Sequence, residues 1–152
     1  MESQLSKIIP NKGIYFVAAK EPNRFPHYLC CTIEEMALKA SEIDAQGYDA
    51  FFACASFKQE SYIDAKGKRR QRTSENAGWA KSFWIDIDCS AKKAEAGLGY
   101  LDVETATAAL DDFVHKTGLP SPMIIHSGGG LHVYWPLAED IEAEQWVEVA
   151  NR

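Results

Sequence analysis

The run Ser82-Phe83-Trp84-Ile85-Asp86-Ile87-Asp88-Cys89 alternates in a way that only a β-strand turns into two coherent faces. Phe83, Ile85, Ile87 and Cys89 point to one side as a core face, and Trp84, Asp86 and Asp88 point to the other. Two carboxylates at i and i+2 repel each other and gain nothing from apolar burial, so their face needs positive charge or hydrogen-bond donors. A hard divalent cation, Mg²⁺ or Mn²⁺, supplies this most simply, because it takes carboxylate oxygens and keeps water or substrate phosphates as its remaining ligands. The plainer alternative leaves Asp86 on a solvated face and makes Asp88 the end of the strand, capping the polar segment after it.

Around this strand the chain has 152 residues, enough for one domain with a real core. With 46% hydrophobic and 25% charged residues it belongs among globular proteins rather than disordered or fibrous ones. A formal charge of −6 argues against nonspecific coating of nucleic acid, though local patches and metals still set the field where a substrate binds. Cys30, Cys31, Cys54 and Cys89 show neither Cys-x-x-Cys zinc spacing nor the density of a disulfide scaffold, and read as reduced, mostly buried thiols. There is no signal-peptide pattern and no apolar run near the ~20 residues that span a bilayer, so a cytoplasmic protein without membrane contact is expected.

In chain order, Gly13 to Ala19 is rich in β-formers and reads as the first strand, and Pro22 and Pro26 keep the next stretch irregular. Thr32-Ile33-Glu34-Glu35 has the form of a capping box, and Ile33, Met36, Ala37, Ala40 and Ile43 recur at helical spacing up to Gly47. Tyr48 to Phe57 reads as a second strand, buried on both faces. After the aspartate strand, Ala91 to Gly99 reads as a loop, and Asp102 caps a helix striped by Val103, Ala106, Leu110, Phe113 and Val114 and ended by Gly118 and Pro120. Pro122 to Ser127 and Leu131 to Trp135 read as two further strands, the latter ended by Pro136, with a helix from Asp140 onward. His126 and His115 read as ordinary strand and helix-end residues.

Two more stretches carry possible chemistry. Between Lys58 and Lys81 the hydrophobic pattern breaks down and basic residues concentrate; such a run is either a solvated loop or an arm whose Arg69, Arg70 and Arg72 neutralise backbone phosphates. Ser127-Gly128-Gly129-Gly130-Leu131-His132 offers consecutive unobstructed backbone N–H groups, with a serine hydroxyl and a histidine able to add donors to the same phosphate. In isolation it also reads as a tight hairpin with a surface histidine. Together with the aspartate strand it supplies what nucleotide transfer needs, carboxylates for metals and a cradle for a triphosphate.

Phe83-Trp84-Ile85-Asp86-Ile87-Asp88 followed by Ser127-Gly128-Gly129-Gly130-Leu131-His132-Val133-Tyr134-Trp135 resembles the first and second motifs of the archaeo-eukaryotic primase superfamily, especially the primase-polymerase domains of phages, plasmids and mobile elements. The resemblance spans roughly residues 48 to 137. It implies Asp86 and Asp88 as ligands of catalytic Mg²⁺ or Mn²⁺, and Ser127, Gly128, Gly129, Gly130 and His132 as contacts of the incoming nucleoside triphosphate, with His132 in the catalytic group. It implies an α/β (α+β) fold, with an N-terminal strand-helix-strand unit beside an RRM-like sheet that has helices on one side. The implied activity is template-directed nucleotidyl transfer with two divalent metal ions, a DNA primase-polymerase working on a single-stranded DNA template, with a helicase possible farther along a longer chain.

The family's third motif, a hydrophobic residue and an aspartate on a later strand, has no match after Trp135, and Asp140 at the expected helix start is a poor substitute. Residues 1–152 therefore read as a single catalytic domain cut short at its C-terminus, able to bind a triphosphate and poor at polymerisation. The rivals are a noncatalytic nucleotide or single-strand-binding domain on the same fold, and a metal-dependent nuclease or cyclase.

Overall fold

The structure, a computed structural model, describes the backbone of residues 2–151 and the side chains of residues 4–151. It is a mixed α/β protein whose sheets are antiparallel wherever the pairing is defined. Its chain divides into two compact units, Met1–Lys81 with Leu137–Arg152, and Ser82–Pro136.

In the first unit, helix α1 (Glu2–Ile8) leads into buried Ile8 and Ile9, and strand β1 (Tyr15–Lys20) forms the centre of a sheet between β2 (His27–Cys30) and β3 (Asp49–Phe52). The expected first strand is present. The stretch after Pro22 and Pro26 is not wholly irregular, because His27–Cys30 pairs with β1 immediately beyond the second proline. Helix α2 (Ile33–Ala45) packs on this sheet and buries Ile33, Met36 and Ile43. Its start follows the capping-box pattern with one shift: Thr32 Oγ1 accepts from the Glu35 N–H at 3.1 Å, while the Glu35 carboxylate accepts from the Cys31 N–H at 2.7 Å.

The expected single strand from Tyr48 to Phe57 is two. β3 pairs with β1, and after a break at Ala53 and Cys54, β4 (Ala55–Phe57) pairs with β7 (Ala77–Asp88). One apolar run thus serves two sheets, and Phe51 on it is 41% exposed rather than buried. The aspartate strand likewise begins at Ala77, five residues before Ser82. Strands β7 and β9 (Gly130–Glu142) are the long members of a sheet ordered β4-β7-β9-β8, where β8 is Met123–His126.

The basic segment is an ordered hairpin rather than a patternless loop. β5 (Tyr62–Ile63) pairs with β6 (Arg69–Arg70), and Asp64 Oδ1 closes the turn by accepting from the N–H groups of Lys66 and Lys68, both at 2.9 Å. A 3₁₀ turn, Ser74–Asn76, returns the chain to β7. Asn76 is 2% exposed and ties the ends of the hairpin: its Nδ2 donates to Gln59 O at 2.7 Å and Gln71 O at 2.8 Å, and its Oδ1 accepts from Gln59 N at 3.3 Å. Polar bonds of this kind leave no hydrophobic period to read.

In the second unit Ala91–Glu95 forms a short helix, α3, capped by Ser90, where the sequence suggested a loop. Helix α4 (Val103–Thr117) is capped by Asp102, whose side chain accepts from Thr105 N, and is terminated by Gly118 in the left-handed conformation. Its Ala106 and Leu110 form a core with Leu131, Val133 and Trp135, against which Phe83, Ile87, Cys89, Val103 and Val114 pack. The apolar face read from the aspartate strand is thereby present except at Ile85, which is 39% exposed.

Two boundaries near the C-terminus differ from expectation. β9 continues through Pro136, since β8 pairs only with Leu131 to Tyr134, and beyond Tyr134 one side of β9 needs no N–H. Asp140 consequently lies on a strand, where its Oδ2 accepts from Asn11 N at 2.8 Å, and helix α5 spans Ala143–Ala150. Of the cysteines, all free, only Cys30 is buried, so the expectation of mostly buried thiols does not hold. Among the described residues no helix is long and apolar enough to cross a membrane.

Candidate functional site

The second unit brings the two sequence motifs together. Asp86 and Asp88 stand near the end of β7, both exposed. His132, at the start of β9, places its Nε2 3.6 Å from Asp86 Oδ1, a close approach longer than a direct hydrogen bond. The turn that carries Ser127, Gly128 and Gly129 is joined to the aspartate strand through its backbone: Cys89 N, directly after Asp88, donates to Gly129 O at 2.8 Å, and Ser127 N donates to Gly130 O at 3.0 Å.

The glycines do different work. Gly130 is buried, and a β-carbon there would overlap the Ile87 carbonyl oxygen and lie 3.2 Å from Asp88 Cα. Gly99 is similar, because a β-carbon would overlap Asp88 O and lie 3.1 Å from the Asp88 carbonyl carbon. These two residues let neighbouring backbone close on Asp88 from two directions, aided by the bond from Tyr100 N to Asp88 O at 2.9 Å. Gly128 and Gly129 face open space and remain free to meet a ligand, Gly128 with φ +86°. The sequence triplet is thus one packing glycine and two exposed ones.

A residue that sequence reading missed also enters the site. Lys93, on α3, places its Nζ 2.6 Å from Asp88 Oδ2, so one of the paired carboxylates has a cation from its own chain. The signal was available as the spacing Asp88 to Lys93 across a Ser90 cap, but it requires a helix where the glycine and alanine content suggested a loop.

Among the described residues no group of three or more His, Cys, Asp or Glu side chains is disposed to hold a metal ion. Asp86 and Asp88 alone are hard oxygen donors on one exposed strand face. They could hold one hard divalent cation, its other positions going to water and substrate oxygens, only if Lys93 left Asp88. Arg69, Arg70 and Arg72 belong to the other unit. Arg70 Nε donates to Asp64 Oδ2 at 2.8 Å, and Arg69 donates to Glu60 Oε1 at 3.2 Å and Ser61 Oγ at 2.9 Å. Compared with protein-family models, with curated proteins and with solved structures, the chain matches none.

Proposed function

We propose that the chain is the nucleotide- and metal-binding part of a template-directed nucleotidyltransferase of the primase-polymerase kind. The observation that carries this reading is the approach of His132 to Asp86 at 3.6 Å, beside an exposed glycine turn that is hydrogen-bonded to the residue after Asp88. Acidic, imidazole and backbone N–H groups are the donor set that a triphosphate and its cation require together. Asp86 and Asp88 hold Mg²⁺ or Mn²⁺, which when bound neutralises phosphate charge and polarises the phosphorus under attack. His132 and Ser127 donate to phosphate oxygens, and the N–H groups of Gly128 and Gly129 face the same anion without a side chain in the way. Arg69, Arg70 and Arg72 contact the backbone of a single-stranded template.

The Asp88–Lys93 pair favours a second reading, a noncatalytic nucleotide-binding domain, since a lysine on one carboxylate replaces part of the charge a metal would bring. Calorimetry of nucleoside triphosphate binding separates the two. Metal-dependent binding in the wild type, lost in Asp86→Asn/Asp88→Asn and weakened in His132→Ala, supports the transferase; metal-independent binding that survives the double substitution supports the second reading.

A further inference from the structure

The first unit contains a cavity of about 580 Å³ whose walls include Arg69, Arg70, Arg72, Thr73, Glu60 and His27. Its arginines are not equivalent. Arg69 and Arg70 are paired with Glu60 and Asp64, whereas among the described residues no carboxylate pairs with Arg72, and its Nη1 is buried without a hydrogen-bond partner. A guanidinium that lines the cavity with no carboxylate paired to it gives the cavity a positive charge that an anion would answer. Burial alone accounts for the lowered pKa of Arg72, and His27 is held below its usual value first by burial and then by the Arg72 charge.

His27 joins this cavity to an aromatic patch. Its ring meets Phe25 edge-on at 5.5 Å, and Phe25 meets Phe51 at 5.7 Å with the rings inclined by 57°. Phe25 is 50% and Phe51 41% exposed. The placement is built into the sheet: His27 on β2 and Phe51 on β3 both pair with Ala18 on β1, so the side chains of all three share one face. Apolar rings left in water beside an uncompensated arginine are the two halves of a single-strand site, where bases stack and phosphates meet positive charge.

We propose that this face binds single-stranded nucleic acid, a backbone phosphate entering the Arg72 cavity while the adjoining base stacks on Phe25 and Phe51. The inference rests on the nucleic-acid reading of the basic segment for its class of ligand and uses no residue of the aspartate site. It differs from that reading in assigning the phosphate to Arg72, with Arg69 and Arg70 secondary because each already has a carboxylate.

The test is fluorescence anisotropy on the full chain with a short oligothymidylate and with an abasic oligomer of the same length, which keeps the phosphates and lacks the bases. Phe25→Ala and Phe51→Ala are expected to weaken oligothymidylate binding roughly tenfold, the ordinary worth of one stacked base, and to leave abasic binding unchanged. Arg72→Gln should weaken both ligands and reduce the salt slope by about one, while Arg69→Gln does less. Arg72→Lys, which keeps the charge, should retain the slope. Equal wild-type affinity for the two oligomers, or Arg72→Gln with wild-type affinity and slope, overturns the proposal. The phenylalanine arm is decisive even if Arg72→Gln unfolds. Metal-dependent triphosphate binding, measured in the same variants, should be unchanged; its failure in the wild type would count against the aspartate site alone.

Discussion

The aspartate end of β7 and the arginine hairpin are two charged regions of the chain, and they manage charge in opposite ways. At Asp86 and Asp88 the carboxylates stand in solvent while the backbone beneath them is fixed by the close approach of Gly99 and Gly130. In the hairpin the backbone is held by polar side chains, and two of its arginines are paired with Glu60 and Asp64, leaving Arg72 as the arginine without a carboxylate among the described residues. A count of charges in a sequence therefore says little about which are available to a ligand. Availability depends on which partners the local fold delivers.

The sharpest break of the first region is Gly130→Ala. The new methyl group meets backbone that cannot swing away, and we expect about 3 kcal/mol lost in urea unfolding, with the aspartate strand displaced. Gly129→Ala, at the preceding residue and facing open space, should stay within about 0.5 kcal/mol of wild type. Similar losses in both variants would show that the turn, and not the packing on Asp88, is the constraint.

The corresponding break of the hairpin is Asn76→Ala, which strands the carbonyls of Gln59 and Gln71 and should cost about 2 kcal/mol. It should also loosen the adjoining Arg72 while leaving metal-dependent triphosphate binding at the aspartates intact, which calorimetry can check. A smaller effect sharpens the site itself. Lys93→Met removes the internal cation from Asp88 and should tighten Mn²⁺ binding a few-fold, with little change in stability because both partners are about half exposed. Weaker Mn²⁺ binding in that variant would mean that Lys93 positions Asp88 rather than competing for it.

The smallest expected effect is a pH response confined to the hairpin. Asp64 is held below the ordinary aspartate range, chiefly by the Lys68 N–H and then by Arg70. A lowered native pKa contributes stability that is present above the unfolded value of ~3.9 and is lost as pH falls through the native one. Amide exchange at Lys66 and Lys68 should therefore accelerate on acidification below that range, beyond the intrinsic pH trend, and Asp64→Asn should remove the excess.

Much of this architecture was legible. Alternation placed Asp86 and Asp88 on one face of a strand, and the hydroxyl-x-x-acid pattern and Asp102 located the starts of α2 and α4. What escaped shares a physical cause: it is held by long-range polar bonds or by pairings longer than a local pattern. The hairpin rests on Asn76 and Asp64, the split of Tyr48 to Phe57 on which sheet each half joins, and the passage of β9 through Pro136 on where β8 stops pairing. Gly130, whose sequence context suggests a bare N–H group for a ligand, instead packs against Ile87. At the site, the approach of His132 to Asp86, like Lys93 and the isolation of Arg72, needed the fold.

The central claim, that Asp86 and Asp88 form a cation site completed by a triphosphate, is tested most directly by Mn²⁺ electron paramagnetic resonance with and without a nucleoside triphosphate. One Mn²⁺ per chain is expected, bound more tightly when the triphosphate is present, with loss of that binding in Asp86→Asn/Asp88→Asn at unchanged stability. Identical Mn²⁺ uptake by the wild type and the double variant, with triphosphate present, would contradict it.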